Sequence, residues 1–267
     1  MKIGPYELES SDASEANRHI SEFLNITSEI SLGDKAYSNG RSFLEDKQYR
    51  LIIDNLRHVG IKLQYDKQFS HKVEFIVRDV RNLIGMKGYT IKTMQGFPMN
   101  GKKWREGNCL LSDWGPKDRR IDLHTLNAST INTRDKTKFL EELGKNFALS
   151  YALGLWDRRE SNFVWDVQDK IIISIDHESL SDEEIEQDIP RGFFVILNNF
   201  FNPNWHLDQE MKLTFQGGFG EIWSKILSNR NLIAEIIHNY GFVFKKNAFT
   251  KRISKPSTIP WALLTMP

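Results

Sequence analysis

The sequence predicts an α+β fold with a strand-rich first half and a mainly helical second part. Short runs of alternating apolar and polar residues lie between positions 59 and 94, which is the pattern of half-buried strands. After Asn132 the apolar residues recur at steps of three and four, as on the buried face of a helix. Residues 96–120 are rich in glycine, proline and charge, and only 108–114 (NCLLSDW) has a strand pattern. Strands grouped ahead of helices indicate two lobes, with this loop-rich stretch as their boundary.

The first half contains two predicted helices followed by three predicted strands. Helical patterns occupy residues 14–26 (SEANRHISEFLNI) and 41–56 (RSFLEDKQYRLIIDNL). The strand patterns are 59–65 (VGIKLQY), 71–80 (HKVEFIVRDV) and 88–94 (GYTIKTM), separated by polar or glycine-containing turns. We therefore expect a small sheet in the first lobe.

The second part begins with a long helix and continues with a hairpin. The helix is predicted from Thr133, a plausible N-cap, to about Gly154. Its apolar stripe consists of Phe139, Leu140, Leu143, Phe147, Ala148, Tyr151, Ala152 and Leu155. Two strands follow, 163–167 (FVWDV) and 170–176 (KIIISID), joined by a turn at 168–169.

Beyond the hairpin the sequence predicts an acidic, solvated run at 181–188 and a largely helical region at 191–242. The glycines of 217–223 (GGFGEIW) fit a helix-entry turn better than a dinucleotide loop, because no clear strand precedes them. The basic tail 245–261 fits a solvated terminus, with contact to anionic lipid or RNA as the alternative.

Composition excludes several functional classes. The chain has 267 residues, with 36 basic and 35 acidic side chains and a net charge of +1, so no stable nucleic-acid partner is expected. Cys109 is the single cysteine, which rules out an internal disulfide or a cysteine-based zinc site and fits the cytoplasm. The N-terminus lacks a signal-peptide pattern. No apolar run approaches the roughly 20 residues of a membrane span, so we expect a soluble protein.

Three oxygen-bearing side chains frame the hairpin. Asp157 and Asn162 lie in the loop before it, and Asp176 ends its second strand. Because the hairpin returns to its starting edge, these residues are expected to converge on a site suited to Mg²⁺. Arg158 and Arg159 add positive charge beside the loop, and Arg158 is expected to bind the nucleotide. The alternative is structural, since Asp and Asn are common turn residues.

The segment LSYALGLWDRRESNFVWDVQDKIIISIDHE resembles the catalytic segment of the phosphatidylinositol 3-/4-kinase-like superfamily. This superfamily includes lipid kinases, their large protein-kinase relatives, actin-fragmin kinase and bacterial toxin kinases. Its pattern is Ser-Tyr-x-x-Gly-Leu, then Gly-Asp-Arg-His-x-x-Asn, then a hairpin that ends in Ile-Asp-Phe-Gly. The matching residues are Ser150, Tyr151, Gly154, Leu155, Asp157, Arg158, Asn162, Ile175 and Asp176. The resemblance covers about 30 residues and implies a two-lobed, protein-kinase-like fold.

The resemblance also implies a role for each matching polar residue. Asp157 would orient or deprotonate the substrate hydroxyl, and Asn162 and Asp176 would bind magnesium. Two departures affect the roles of the neighbouring residues. Arg159 replaces the histidine of the pattern, so its guanidinium would take over any contact to the transferred phosphate. His177-Glu178 replaces Phe-Gly, so the segment is closer to the Asp-x-Glu of small-molecule kinases. Glu178 is therefore a candidate for an additional metal ligand.

A kinase also needs a lysine that holds the nucleotide phosphates. Lys92, in the third predicted strand, is the first candidate, with Lys62 and Lys87 as runners-up. The phosphate-covering loop is either 84–88 (IGMKG) or the turn between Tyr65 and His71. Candidates for the acidic partner of the lysine are Glu74, Glu106, Glu141 and Glu142.

The sequence therefore predicts an ATP- and magnesium-dependent kinase. Residues 1–110 would form a strand-containing N-lobe and 111–267 a helical C-lobe, which carries the catalytic loop 156–163 and the metal-binding segment 175–178. The expected acceptor is a protein Ser/Thr, because 267 residues leave no room for the accessory domains of lipid kinases. Alternatives are a small-molecule or lipid kinase, a pseudokinase that binds without turnover, and an AMP-transferring protein.

Overall fold

The computed structural model divides the chain into two compact units, residues 1–71 with 89–120 and residues 72–88 with 121–267. It describes the backbone of residues 2–3, 6–7, 30–32, 48–53, 57–63, 72–95, 108–116, 119–126, 131, 133–155, 158–175, 177, 180, 196 and 209–254. Side chains are described for residues 72–89, 91, 113, 119–126, 131, 134–155, 158–175, 177, 180, 196 and 209–254.

The first unit contains an antiparallel five-stranded sheet with the order β3-β4-β5-β7-β6. Its strands are β3 (Ile30–Leu32), β4 (Gln48–Ile53), β5 (Arg57–Leu63), β6 (Thr90–Gln95) and β7 (Asn108–Pro116). Two further short strands, β1 (Lys2–Ile3) and β2 (Tyr6–Glu7), pair with each other. The strands predicted at 59–65, 88–94 and 108–114 are thus confirmed within a few residues. The helix predicted at 14–26 lies outside the described residues.

Two predictions in the first half are wrong. Residues 48–53 form β4 rather than the end of a helix, and all six lie opposite residues of β5. Residues 72–84, predicted in part as a strand, form helix α1 (Lys72–Ile84). The buried side chains of α1 include Val73, Ile76, Val77, Val80 and Ile84, which recur at helical steps of three and four. The ten residues predicted as a strand are too few to separate this period from the alternation of a strand.

The second unit combines a small sheet with long helices. The sheet order is β10-β9-β8, formed by β8 (Arg120–Asp122), β9 (Phe163–Asp166) and β10 (Ile171–Ser174). The helices that follow α1 are α2 (Thr133–Leu153), α3 (Gln209–Ser228), α4 (Arg230–Asn239) and α5 (Val243–Ile253). The described residues therefore contain both helices and sheets, as predicted. None of their helices is long and apolar enough to cross a membrane.

Helix α2 is the centre of the core of this unit. All eight residues of its predicted apolar stripe are buried, and Phe147 packs against Phe215 and Phe219 of α3 with ring centroids 5.8 and 5.6 Å apart. The helix ends at Leu153, and the next residue, Gly154, has a φ of 67° that suits glycine. Leu155 N–H then donates to the carbonyl of Ser150. The predicted cap rests on the side chain of Thr133, which lies outside the described ones.

The last helices correct two expectations. The glycines of 217–223 lie inside α3, which begins at Gln209, so they do not form a helix-entry turn. The start of the basic tail forms α5, with Phe249 and Arg252 buried, and Arg252 Nε donates to the carbonyl of Ala152 at 3.2 Å. This part of the tail is therefore packed onto the core rather than solvated throughout.

Candidate catalytic site

The hairpin at the candidate site forms where the sequence predicts it. β9 and β10 pair antiparallel, with Phe163 opposite Ser174. Asp166 is fully buried, and its Oδ1 accepts the N–H groups of Gln168 and Asp169 at 3.0 and 2.9 Å. A short polar side chain that binds the backbone two and three residues ahead stabilises a tight turn. The turn thus folds the hairpin so that the start of β9 and the end of β10 lie side by side.

The loop before the hairpin is joined to the segment after it. A short 3₁₀ turn covers Glu160–Asn162, in which Asn162 N–H donates to the carbonyl of Arg159 at 2.9 Å. The carbonyl of Asn162 accepts the N–H of Ile175 at 2.8 Å. Asn162 is buried, and its Oδ1 accepts a long hydrogen bond of 3.4 Å from Ser161 Oγ. The predicted metal ligand Asn162 therefore lies beside the residue that precedes Asp176.

The two arginines of the loop have different environments. Arg158 is buried, and its Nη1 donates to Ser174 Oγ at 3.2 Å and to the carbonyl of Ile175 at 2.9 Å. The described contacts of Arg158 thus hold the end of β10, and its contact with the nucleotide stays a prediction. Arg159 is exposed, which suits contact with a bound ligand.

Helix α1 contacts the residue after Asp176. Both carboxylate oxygens of Glu74 bind His177: Oε1 accepts its main-chain N–H at 2.8 Å, and Oε2 lies 2.7 Å from Nδ1. The other ring nitrogen, Nε2, lies 2.6 Å from Ser174 Oγ. Arg81 of the same helix donates to the carbonyl of Ser174 at 2.9 Å. Sequence reasoning named Glu74 only as a possible lysine partner and missed this contact.

His177 is buried among charged groups. Burial lowers the pKa of His177 to about 4, and the guanidinium groups of Arg158 and Arg81 act in the same direction, while the Glu74 carboxylate opposes them. At neutral pH the ring is therefore uncharged, with one nitrogen that donates and one that accepts.

The other predicted site residues are distributed as follows. Asp157, Asp176, Glu178 and Glu106 lie outside the described residues, as does the turn between Tyr65 and His71. Lys62 lies on β5, and Lys92 lies on β6 opposite Leu111 of β7, with side chains outside the described ones. Cys109 lies on β7, and its side chain is likewise outside this set. Residues 84–88 form the end of α1 and the turn after it, with Gly85 at φ 71°.

Three candidate residues are bound elsewhere in the second unit. Lys87 Nζ donates to Asp169 Oδ2 at the hairpin turn, 3.0 Å away. Glu141 and Glu142 both form ion pairs with Lys145 on α2. These contacts give Lys87 and the two glutamates structural partners within the described residues.

The donor chemistry of the loop fits a hard cation. An amide oxygen from Asn162 and a carboxylate from Asp176 are the ligand types that Mg²⁺ takes alongside water and phosphate. Among the side chains that the structure describes, no three His, Cys, Asp or Glu residues gather around a common point.

No protein-family model matches the chain, and no curated protein sequence matches it. Solved structures that align with it include WaaP in complex with acyl carrier protein, at 12% identity and a TM-score of 0.43, over 90% of this chain and 98% of that chain. The Helicobacter pylori proinflammatory kinase CtkA aligns at 12% identity and a TM-score of 0.44, over 85% and 92%. HipA of a Shewanella oneidensis MR-1 toxin–antitoxin complex aligns at 12% and 0.40, over 90% and 70%. Values this low assign neither a family nor an activity.

Proposed function

We propose that the chain is an ATP- and magnesium-dependent phosphotransferase that transfers the γ-phosphate to a hydroxyl group. The hydrogen bond from Ile175 N–H to the carbonyl of Asn162, at 2.8 Å, is the observation that carries this proposal. It holds the loop residue Asn162 next to the strand end that leads into Asp176. An amide from Asn162 together with a carboxylate from Asp176 would suit Mg²⁺, and the spacing of the surrounding motif supports a kinase.

Each residue of the loop has a proposed task. Asp157 orients the acceptor hydroxyl and accepts its proton, while Asn162 and Asp176 hold the metal. The exposed guanidinium of Arg159 contacts the transferred phosphate, in the place of the histidine of the resembling pattern. Lys92 binds the nucleotide phosphates. When bound, Mg²⁺ neutralises the charge of the phosphates.

The buried guanidinium of Arg158 has a supporting task. It binds Ser174 and Ile175, so it holds the hairpin end in register with the loop. Membership in the phosphatidylinositol 3-/4-kinase-like superfamily stays a prediction from the motif.

A protein serine or threonine is the first acceptor to test, followed by the hydroxyl of a small molecule or a lipid. Arg159 and His177-Glu178, which depart from the resembling pattern, keep two other functions under consideration. One is a pseudokinase that binds ATP without turnover, and the other is transfer of AMP.

The test is incubation with magnesium and ATP labelled on the γ-phosphate, alone and with cell lysate, followed by mass spectrometry of the chain and of the lysate proteins, labelled or not. We expect label in the chain itself or in one lysate protein, with the mass of a phosphate added. A product that gains the mass of AMP without label would instead show adenylylation, because the γ-phosphate then leaves in pyrophosphate. A magnesium-dependent thermal shift with ATP, but without consumption of ATP, would show that the chain binds ATP as a pseudokinase.

A further inference from the structure

A continuous set of hydrogen bonds connects helix α1 to the segment that carries Asp176. It begins with Arg158 Nη1, which donates to Ser174 Oγ at 3.2 Å. Ser174 Oγ lies 2.6 Å from His177 Nε2, and His177 Nδ1 lies 2.7 Å from Glu74 Oε2. The exposed fraction of the side chain is only 1% for His177 and 11% for Glu74. The set is therefore sheltered from water, where each hydrogen bond is stronger than at the surface.

The partners define which ring nitrogen carries the proton. A carboxylate accepts hydrogen bonds, so Nδ1 of the neutral ring must donate to Glu74. Nε2 is then an acceptor and receives the hydroxyl proton of Ser174, whose oxygen in turn accepts from Arg158. Every donor in this arrangement meets an acceptor. The Nδ1–H tautomer is thus the one that satisfies all four groups.

The main chain is anchored on both sides of residue 176. Ile175 donates its N–H to Asn162, and its carbonyl accepts from Arg158. His177 donates its N–H to Glu74. The residues on both sides of position 176 are therefore each held by hydrogen bonds.

We propose that Glu74, His177 and Ser174 are positioning residues that hold the segment with Asp176 in the geometry that binds the metal, with helix α1 as the anchor. This inference rests on the proposed function, because it assigns Asp176 to the metal. Groups that orient metal ligands in this way typically change metal affinity by about 10- to 100-fold when they are removed.

The tautomer of His177 is the first readout, and it is independent of activity. Nitrogen-15 NMR of histidine-labelled full-length protein should show an Nδ1–H ring for His177, assigned among the seven histidines by its loss in His177→Asn. Glu74→Gln should convert the ring to Nε2–H, because the amide oxygen keeps the main-chain N–H of His177 and the amide N–H₂ then faces Nδ1. Ser174→Ala should keep Nδ1–H, because the contact to Glu74 is intact.

Metal binding is the second readout. The electron paramagnetic resonance of free Mn²⁺ measures binding of this ion in the presence of a non-hydrolysable ATP analogue. The affinity for Mn²⁺ should fall about 10- to 100-fold in Glu74→Gln. Asp79→Asn is the matched control on the same helix, because Asp79 binds Arg78 and Tyr240 instead. It should change neither the tautomer nor the Mn²⁺ affinity.

The outcomes separate the two proposals. An Nε2–H ring in the parent protein, or unchanged Mn²⁺ affinity in Glu74→Gln, would overturn the positioning role alone. A parent protein that shows the Nδ1–H ring but binds no Mn²⁺ would overturn the proposed function, and with it the metal role of the anchored segment.

Discussion

Gly144 of α2 and Gly218 of α3 face the partner helix where the two helices cross. A Cβ atom added to Gly144 would overlap the main-chain carbonyl oxygen of Phe215, and one added to Gly218 would overlap that of Glu141. Since backbone atoms cannot move aside as a side chain can, the helices approach this closely only with glycine at both positions.

Gly144→Ala and Gly218→Ala are each expected to lower the free energy of unfolding by about 1–3 kcal/mol or more, through overpacking. Urea unfolding followed by circular dichroism measures this. Gly217→Ala and Gly220→Ala are matched controls, because an added Cβ meets no atom within 4 Å at either position. They should stabilise α3 by about 0.5–1 kcal/mol. Equal effects in all four variants would contradict the close crossing.

Gly154→Ala tests the end of α2. Gly154 and Gly85 both have positive φ, 67° and 71°, so alanine at either costs about 1–2 kcal/mol of backbone strain. At Gly154 an added Cβ would also come within 2.7 Å of the Arg252 guanidinium, whereas at Gly85 it meets nothing. We expect a larger loss in urea stability for Gly154→Ala than for Gly85→Ala. Equal losses would mean that Arg252 moves aside without cost.

Lys145 of α2 forms ion pairs with Glu141 and Glu142 of its own helix and with Glu221 of α3, which links the two helices. Burial alone would raise the pKa of Glu141, but the ammonium groups of Lys145 and Lys138 outweigh it and lower that pKa below its ordinary value. The pKa of Glu221 is lowered first by Lys225 and also by Lys145, against the effect of burial. Both carboxylates therefore hold fewer protons in the folded chain than in the unfolded chain at acidic pH.

The sign of the pH dependence follows from these lowered pKa values. The stabilisation from ionised Glu141 and Glu221 is complete above the ordinary glutamate pKa of 4.5. It is lost as the pH falls through the lower pKa values of the folded chain. Urea midpoints measured from about pH 6 to about pH 3 should therefore fall. Lys145→Met should lower the midpoint at neutral pH and flatten this fall. Lys212→Met, on α3 and without an ion pair to a described residue, should do neither; a matching change there would contradict the assignment to Lys145.

The parts of the fold that the sequence predicts well are those with long or locally determined patterns. The apolar stripe of α2 runs from Phe139 to Leu155, so its period is unambiguous, and the hairpin carries its own turn residue in Asp166. Helix α1 was missed because Val73, Phe75 and Val77 alternate like a strand, although burial follows Val73, Ile76, Val77 and Val80. Only a window that extends to Ile84 separates the two periods.

The contacts that organise the candidate site are the least visible in the sequence. Glu74 and His177 are 103 positions apart, and no local pattern connects a helical glutamate with a histidine after a strand. Their pairing arises from the packing of the second unit, which brings the start of α1 to the end of β10. The motif predicts which residues do chemistry, and the fold determines what holds them.

The most direct test of the central claim is γ-phosphate transfer from labelled ATP by the parent protein, Asp157→Ala and Asp176→Ala, each shown to be folded by circular dichroism. Asp169→Ala, which changes an acid at the turn of the same hairpin, is the control. We expect transfer by the parent and the control, a loss of about 100- to 10,000-fold for Asp157→Ala, and no measurable transfer for Asp176→Ala. Undiminished transfer by both site variants would contradict the proposed site.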